Sequence, residues 1–91
     1  MNVPMEFEGA KLMYYADSGR RPFGLSQMPG GTGRKIKYLA VAQHSGKSGT
    51  YLFACADNWQ VVGDLFYHSI EEAKLDAERF YQTGPLSWVK V

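Results

Sequence analysis

The stretch Thr50-Tyr51-Leu52-Phe53-Ala54-Cys55-Ala56-Asp57-Asn58-Trp59-Gln60-Val61-Val62-Gly63-Asp64-Leu65-Phe66-Tyr67-His68-Ser69-Ile70-Glu71-Glu72-Ala73 decides the fold. Thr50 to Ala56 reads as a mostly apolar strand. Asp57-Asn58 tolerates the positive backbone angles of a tight hairpin, so Trp59 to Tyr67 returns antiparallel. Gly63-Asp64 interrupts that second strand, as a bulge does. Ser69-Ile70-Glu71-Glu72 is a capping box, whose hydroxyl and carboxylate satisfy N–H groups that a helix start leaves orphaned. Ile70, Ala73, Ala77, Phe80 and Tyr81 then recur at helical spacing and form one apolar stripe. Glu71, Glu72 and Asp76 lie on the other face, and the acidic first turn complements the helix dipole. Thr83-Gly84-Pro85 stops the helix with a glycine followed by proline.

Outward from this unit, Ile36 to Ala42 is apolar at nearly every position, as a central strand covered on both faces requires. The small-residue loop His44 to Gly49 joins it to Thr50. Lys11-Leu12-Met13-Tyr14-Tyr15 reads as a first strand, and Asp17-Ser18-Gly19 supplies turn chemistry after it. Ser87 to Val91 alternates and supplies a last strand. Residues 18–34 form a long Gly/Pro/Arg-rich connection whose composition predicts flexibility, with Phe23 to Met28 as a short edge strand concealed inside it. The chain therefore reads as one domain, residues 1–91. Its fold class is α+β: two layers, an antiparallel sheet of four to five strands with one C-terminal helix packed on one face.

Ninety-one residues at 45% hydrophobic and 21% charged belong to the ordinary globular class. No apolar run is long enough for a transmembrane helix. Met1 to Glu8 lacks the basic and apolar regions of a secretory signal, and a lone cysteine cannot build a disulfide framework, so the expected location is cytoplasmic. The net charge of +1 hides a division. Arg20, Arg21, Arg34, Lys35, Lys37 and Lys47 fall in a segment, Ser18 to Ala56, that has no carboxylate at all.

Catalytic sets are missing from this pattern. Cys55, His44 and His68 are too few for a structural zinc site. Cys55 between alanines reads as a small buried hydrophobe. Gly46-Lys47-Ser48 is not a phosphate-binding loop, because Val41 stands where that motif needs glycine and a strand follows instead of a helix. Gly30-Gly31-Thr32-Gly33-Arg34 likewise lacks the third glycine of a dinucleotide fingerprint, its place taken by Ile36, although it could form an anion-binding nest. Asp64 in an apolar strand reads as a solvated bulge residue, since burial without a partner would be costly. Leu75, opposite the apolar stripe, is a candidate protein contact. No metal, cofactor or catalytic residue is expected.

Tyr51 to Asp64, followed by Ser69-Ile70-Glu71-Glu72-Ala73-Lys74 and Ala77-Glu78, resembles a group of small uncharacterised bacterial proteins. In that group a strand, a turn, a tryptophan and a second strand run into a helix beginning Ser/Thr-x-Glu-x-Ala. Small immunity proteins, which neutralise a toxin, have a similar size and layout. The order is also similar to that of HicB-type antitoxins, although Leu65-Phe66-Tyr67-His68 here separates Asp64 from Ser69. The resemblance spans roughly residues 51–80 and implies a small sheet-and-helix binding protein of bacterial origin.

The functional expectation is a non-catalytic protein-binding domain, an immunity or inhibitor protein, not an enzyme. Its contact residues would be Arg20, Arg21, Phe23 and Arg34, because aromatic and arginine side chains are favoured anchors and the positive field suits an acidic partner or toxin. The alternative is a nucleic-acid-binding module or antitoxin-like regulator. It would use Arg34, Lys35, Lys37 and Lys47 against phosphates, with Tyr38 or Tyr51 stacking on bases. No membrane partner is expected. Exposed sheet edges make a homodimer a further expectation.

Overall fold

A computed structural model describes residues 3–19, 23–26, 34–44, 49–80 and 87–91, with backbone alone at residues 24–26, 34 and 80. The elements are β1 (Glu6–Phe7), β2 (Ala10–Asp17), β3 (Gly24–Ser26), β4 (Arg34–Ile36), β5 (Tyr38–Gln43), β6 (Thr50–Cys55), β7 (Val61–Tyr67), α1 (Ile70–Phe80) and β8 (Val89–Lys90). The main sheet runs β1-β2-β5-β6-β7, and β8 pairs with β2, giving six strands, all antiparallel. β3 and β4 form a separate two-stranded hairpin. The sheet is strongly curled, and α1 packs against it. The fold is α+β, as the sequence predicts. No helix among the described residues is long and apolar enough to cross a membrane.

The period-two alternation of a strand sorts the core onto two faces. On the helix side Leu39, Val41, Leu52 and Ala54 pack with Ala16, Phe23, Ile36, Ala73 and Ala77. Ala73 and Ala77 are fully buried, so the small side chains of the predicted stripe let α1 lie close to the sheet. On the other side Phe7, Leu12, Tyr38, Phe53 and Cys55 are buried with Ala10, Ala40 and Ala42. Three alanines leave room for the sheet to curl inward. The curl, and not a second helix, covers that face.

The predicted cap is present. Glu72 N–H donates to Ser69 Oγ at 3.1 Å, and Ala73 N–H donates to the Ser69 carbonyl at 3.2 Å. The reciprocal bond lands one residue earlier than a standard box, with His68 N–H donating to Glu72 Oε2 at 3.4 Å.

The predicted strand from Ile36 to Ala42 is divided at Lys37. Ile36 turns away to pair with β3, while the Lys37 peptide holds both neighbours of β5: its N–H donates to the Cys55 carbonyl at 2.8 Å and its carbonyl accepts from Ser18 N–H at 2.9 Å. The Asp17-Ser18-Gly19 turn is held in the same place. Asp17 Oδ1 accepts from Gly19 N–H at 2.8 Å and from Lys37 Nζ at 2.7 Å, and Lys37 Nζ also donates to the Gly19 carbonyl. Most of the predicted loop over residues 18–34 lies outside the described residues; the edge strand inside it is realised as β3.

The β6–β7 connection is a three-residue loop. Trp59 N–H donates to the Ala56 carbonyl, Ala56 N–H to the Gln60 carbonyl, both at 2.9 Å, and Gln60 N–H to Asn58 Oδ1 at 3.1 Å. Such loops close with a left-handed residue, ordinarily glycine. Here that residue is Trp59, at φ 66°. Its ring stacks on Tyr38 at 3.8 Å with planes 5° apart and meets Tyr15 edge-on at 5.7 Å. The bulge predicted at Gly63-Asp64 occurs one step away: Ala54 pairs with Gly63 and Cys55 with Val61, so Val62 is the extra residue.

Candidate functional site

A pocket of ≈ 260 Å³ opens on the concave face, away from the helix, lined by Glu8, His44, Tyr51, Phe53 and Asp64. Four parts of the chain build it. Glu8 sits in the two-residue turn between β1 and β2, where Glu8 at φ 50° and Gly9 at φ 87° provide the two positive angles of a primed hairpin turn. That turn lies against the end of β5: a Cβ on Gly9 would stand 3.5 Å from His44 Cε1. Tyr51 and Phe53 come from one face of β6. Asp64 is the ladder partner of Phe53, and Phe66 of Tyr51, so both project on the pocket side of β7.

An aromatic cluster lies beneath the pocket. Phe53, 2% exposed, stacks with Phe7 at 5.6 Å and with Tyr51 at 5.8 Å. His44 meets Tyr51 edge-on at 5.4 Å, and Phe66 stands edge-on to Tyr51 and to His68, each at 5.5 Å. Phe66 in turn lies over Gly49, where a Cβ would come within 2.7 Å of its ring. The rim is charged. Glu8 and Asp64 are exposed, and neither has an ion pair or hydrogen bond among the described residues. No group of three or more His, Cys, Asp or Glu able to hold a metal occurs among the described residues.

Arg20, Arg21 and Lys47 lie outside the described residues, and Arg34 is described through its backbone in β4. Phe23 is 9% exposed and belongs to the helix-side core, so its ring contributes packing there. Lys35 is exposed. Lys37 is bound to Asp17, and the Lys37 ammonium beside Asp17 holds that carboxyl below the usual carboxylate range. Tyr38 is 4% exposed beneath Trp59, which leaves it no accessible face for a base. Cys55 is fully buried, with Sγ 4.0 Å from the Phe53 carbonyl, and burial pushes its thiol up to about 12. A nucleophilic cysteine needs the thiolate, which this environment suppresses. Leu75 is 60% exposed.

Two features escaped the sequence reading. Glu8 reaches the pocket through a hairpin that Glu-Gly signals poorly. Leu65 and Phe66 are 45% and 54% exposed on β7, the last strand in the sheet order. Their consecutive positions in an apolar strand were the available signal. No family model matches the chain, and no curated protein or solved structure matches it either.

Proposed function

We propose that this is a non-catalytic binding domain that acts by holding another protein, in the manner of a bacterial immunity or inhibitor protein in the cytoplasm. The observation that carries this reading is the exposed pair Leu65 and Phe66 on the terminal strand β7. Natural edge strands are usually blunted by charge, proline or cover, because an open row of backbone groups recruits other strands. β7 has a charge at its centre, Asp64, and a bulge at Val62, but beyond them it leaves Leu65 and Phe66 open. Leu65 is the ladder partner of Leu52 on the helix side and Phe66 that of Tyr51 on the concave side. Apolar surface is therefore offered on both faces of the edge, which suits an added strand better than a ligand resting on one face. The basic residues Arg20, Arg21 and Arg34 would steer an acidic partner toward the domain.

The test is calorimetric titration with the product of the adjacent gene. Leu65→Lys combined with Phe66→Lys, and separately Arg20→Glu with Arg21→Glu and Arg34→Glu, should each abolish binding while the circular dichroism spectrum is retained. Unchanged affinity in the β7 variant overturns the edge as the contact. Sedimentation of the wild type alone tests the competing occupant, a second copy paired edge to edge.

A further inference from the structure

Among the described residues, the outer side of β7 has no neighbouring strand. We propose that a second copy of this chain covers it while no partner is bound. The two β7 strands pair antiparallel about a two-fold axis at Phe66, so the domain withholds its own binding edge. The inference rests on β7 being the contact strand and adds how that strand is regulated.

Parity limits the registers. Residues directly opposite each other in a sheet point to the same face, and a slip of one residue reverses every side chain. A two-fold axis therefore sets one residue of β7 opposite its own copy. Beyond the bulge at Val62 the strand keeps step with β6 from Asp64 to Tyr67, so the axis belongs in this stretch. Centred on Asp64, two carboxylates meet, and like charges directly opposite are destabilising. Centred on Leu65, each Asp64 faces a phenyl ring and is covered without a donor. Centred on Tyr67, Leu65 faces Ser69, and the ladder runs into the start of α1.

The Phe66 register matches every pair. Phe66 meets its own copy, Leu65 meets Tyr67, and Asp64 meets His68. Asp64 and Phe66 share the concave face, and the His68 ring meets Phe66 edge-on at 5.5 Å. Leu65 and Tyr67 share the helix side, where Tyr67 packs against the core. An ionised carboxylate only accepts hydrogen bonds, and an imidazole carries an N–H donor in either protonation state. Symmetry supplies that pair twice. A charge that ordinarily protects an edge here selects the register.

Strength sets the role. A ladder over residues 64–68 is small, below the roughly 1,200 Å² that separates transient from stable interfaces. A dissociation constant on the order of 100 μM follows, weak enough for a partner's strand to displace the copy.

The experiment is sedimentation equilibrium of the whole chain across a concentration series. Wild type should pass from monomer to dimer. Asp64→His and His68→Asp should each weaken the dimer about ten-fold, because each sets like groups opposite at both symmetric positions. Asp64→His combined with His68→Asp in one chain should restore it, since every pair again holds one of each. Both positions are exposed, and circular dichroism checks that the fold is retained. The apparent dissociation constant for the product of the adjacent gene should also rise with the concentration of the domain itself.

A wild type that stays monomeric overturns the proposal, as does a dimer that the single exchanges leave intact or that the double exchange fails to restore. Partner affinity independent of domain concentration overturns the regulation. A monomer whose partner binding is still lost in the Leu65→Lys, Phe66→Lys variant removes self-pairing alone. A dimer with the expected exchange pattern and partner binding unaffected by that variant removes only the partner's use of β7.

Discussion

Trp59 occupies a backbone conformation that glycine would adopt freely, and its replacement should invert the usual order of alanine and glycine. An indole buries on the order of 200 Å² when covered; taking about two-thirds for this half-buried ring gives roughly 130 Å², or about 3 kcal/mol at 25 cal/mol/Å². Stacking of the kind seen on Tyr38 adds about 1 kcal/mol beyond area. Against this stands the left-handed angle, φ 66°, which costs a residue with a Cβ about 1–2 kcal/mol. Trp59→Ala loses the ring and keeps the strain, so it should cost about 4 kcal/mol. Trp59→Gly loses the ring and relieves the strain, less about 0.4–1 kcal/mol for the freer unfolded chain, and should cost about 3 kcal/mol. In ordinary strand backbone glycine is worse than alanine by about 0.5–1 kcal/mol, so the sign of the difference is diagnostic. Urea unfolding followed by far-ultraviolet circular dichroism, with Trp88 emission as a second probe, gives both free energies from midpoint and slope. An alanine variant as stable as the glycine variant would refute the left-handed assignment. A loss below about 1 kcal/mol in both would refute the buried stack.

The other expectations concern pH. Asp17 has its carboxyl lowered, by the Lys37 hydrogen bond first, so its stabilisation is present above about pH 4 and disappears as pH falls through the folded value. The pair is solvent-accessible, which limits the effect to less than about 1 kcal/mol; Asp17→Asn should remove that part of the acid slope in urea midpoints measured from pH 6 to pH 2. Cys55 behaves oppositely: its thiol, pushed up to about 12 by burial, stays protonated in the folded chain while the unfolded chain releases the proton. Stability should therefore fall above about pH 8.5, by up to about 1.4 kcal/mol per pH unit, and Cys55→Ala should flatten that part of the curve relative to wild type. A thiol reagent should modify Cys55 at the rate of unfolding; fast labelling of the native protein would contradict the buried placement.

The parts of the fold that could be read from the sequence are those specified by neighbours along the chain. The Ser69–Glu72 cap and the antiparallel hairpin of Thr50 to Tyr67 are local, and both are found where the residues predict them. The departures come from long-range pairing. Ile36 is as apolar as the residues of β5, and nothing local announces that it leaves the main sheet for β3 while Lys37 stays bound to both sides. Trp59 in a glycine position is decided by Tyr38 and Tyr15, whose rings reward the strained angle. Glu8 and His44 are likewise brought to Tyr51 and Asp64 by curling of the sheet, so no spacing rule in the sequence could assemble that pocket.

The same distinction changes what the charge balance means. A net charge of +1 would describe the protein's field if opposite charges were paired in space. Asp17 and Lys37 do pair, across the break between β4 and β5, and that bond serves the fold by fixing the turn after β2. Glu8 and Asp64 have no ion pair among the described residues, and both line the pocket over Tyr51 and Phe53. At physiological salt a charge is felt over about 8 Å, so a group at this pocket responds to the carboxylates that line it and not to the sum over the chain. Salt should therefore weaken the Asp17–Lys37 pair and the local field of Glu8 and Asp64 together, because each depends on exposed charge.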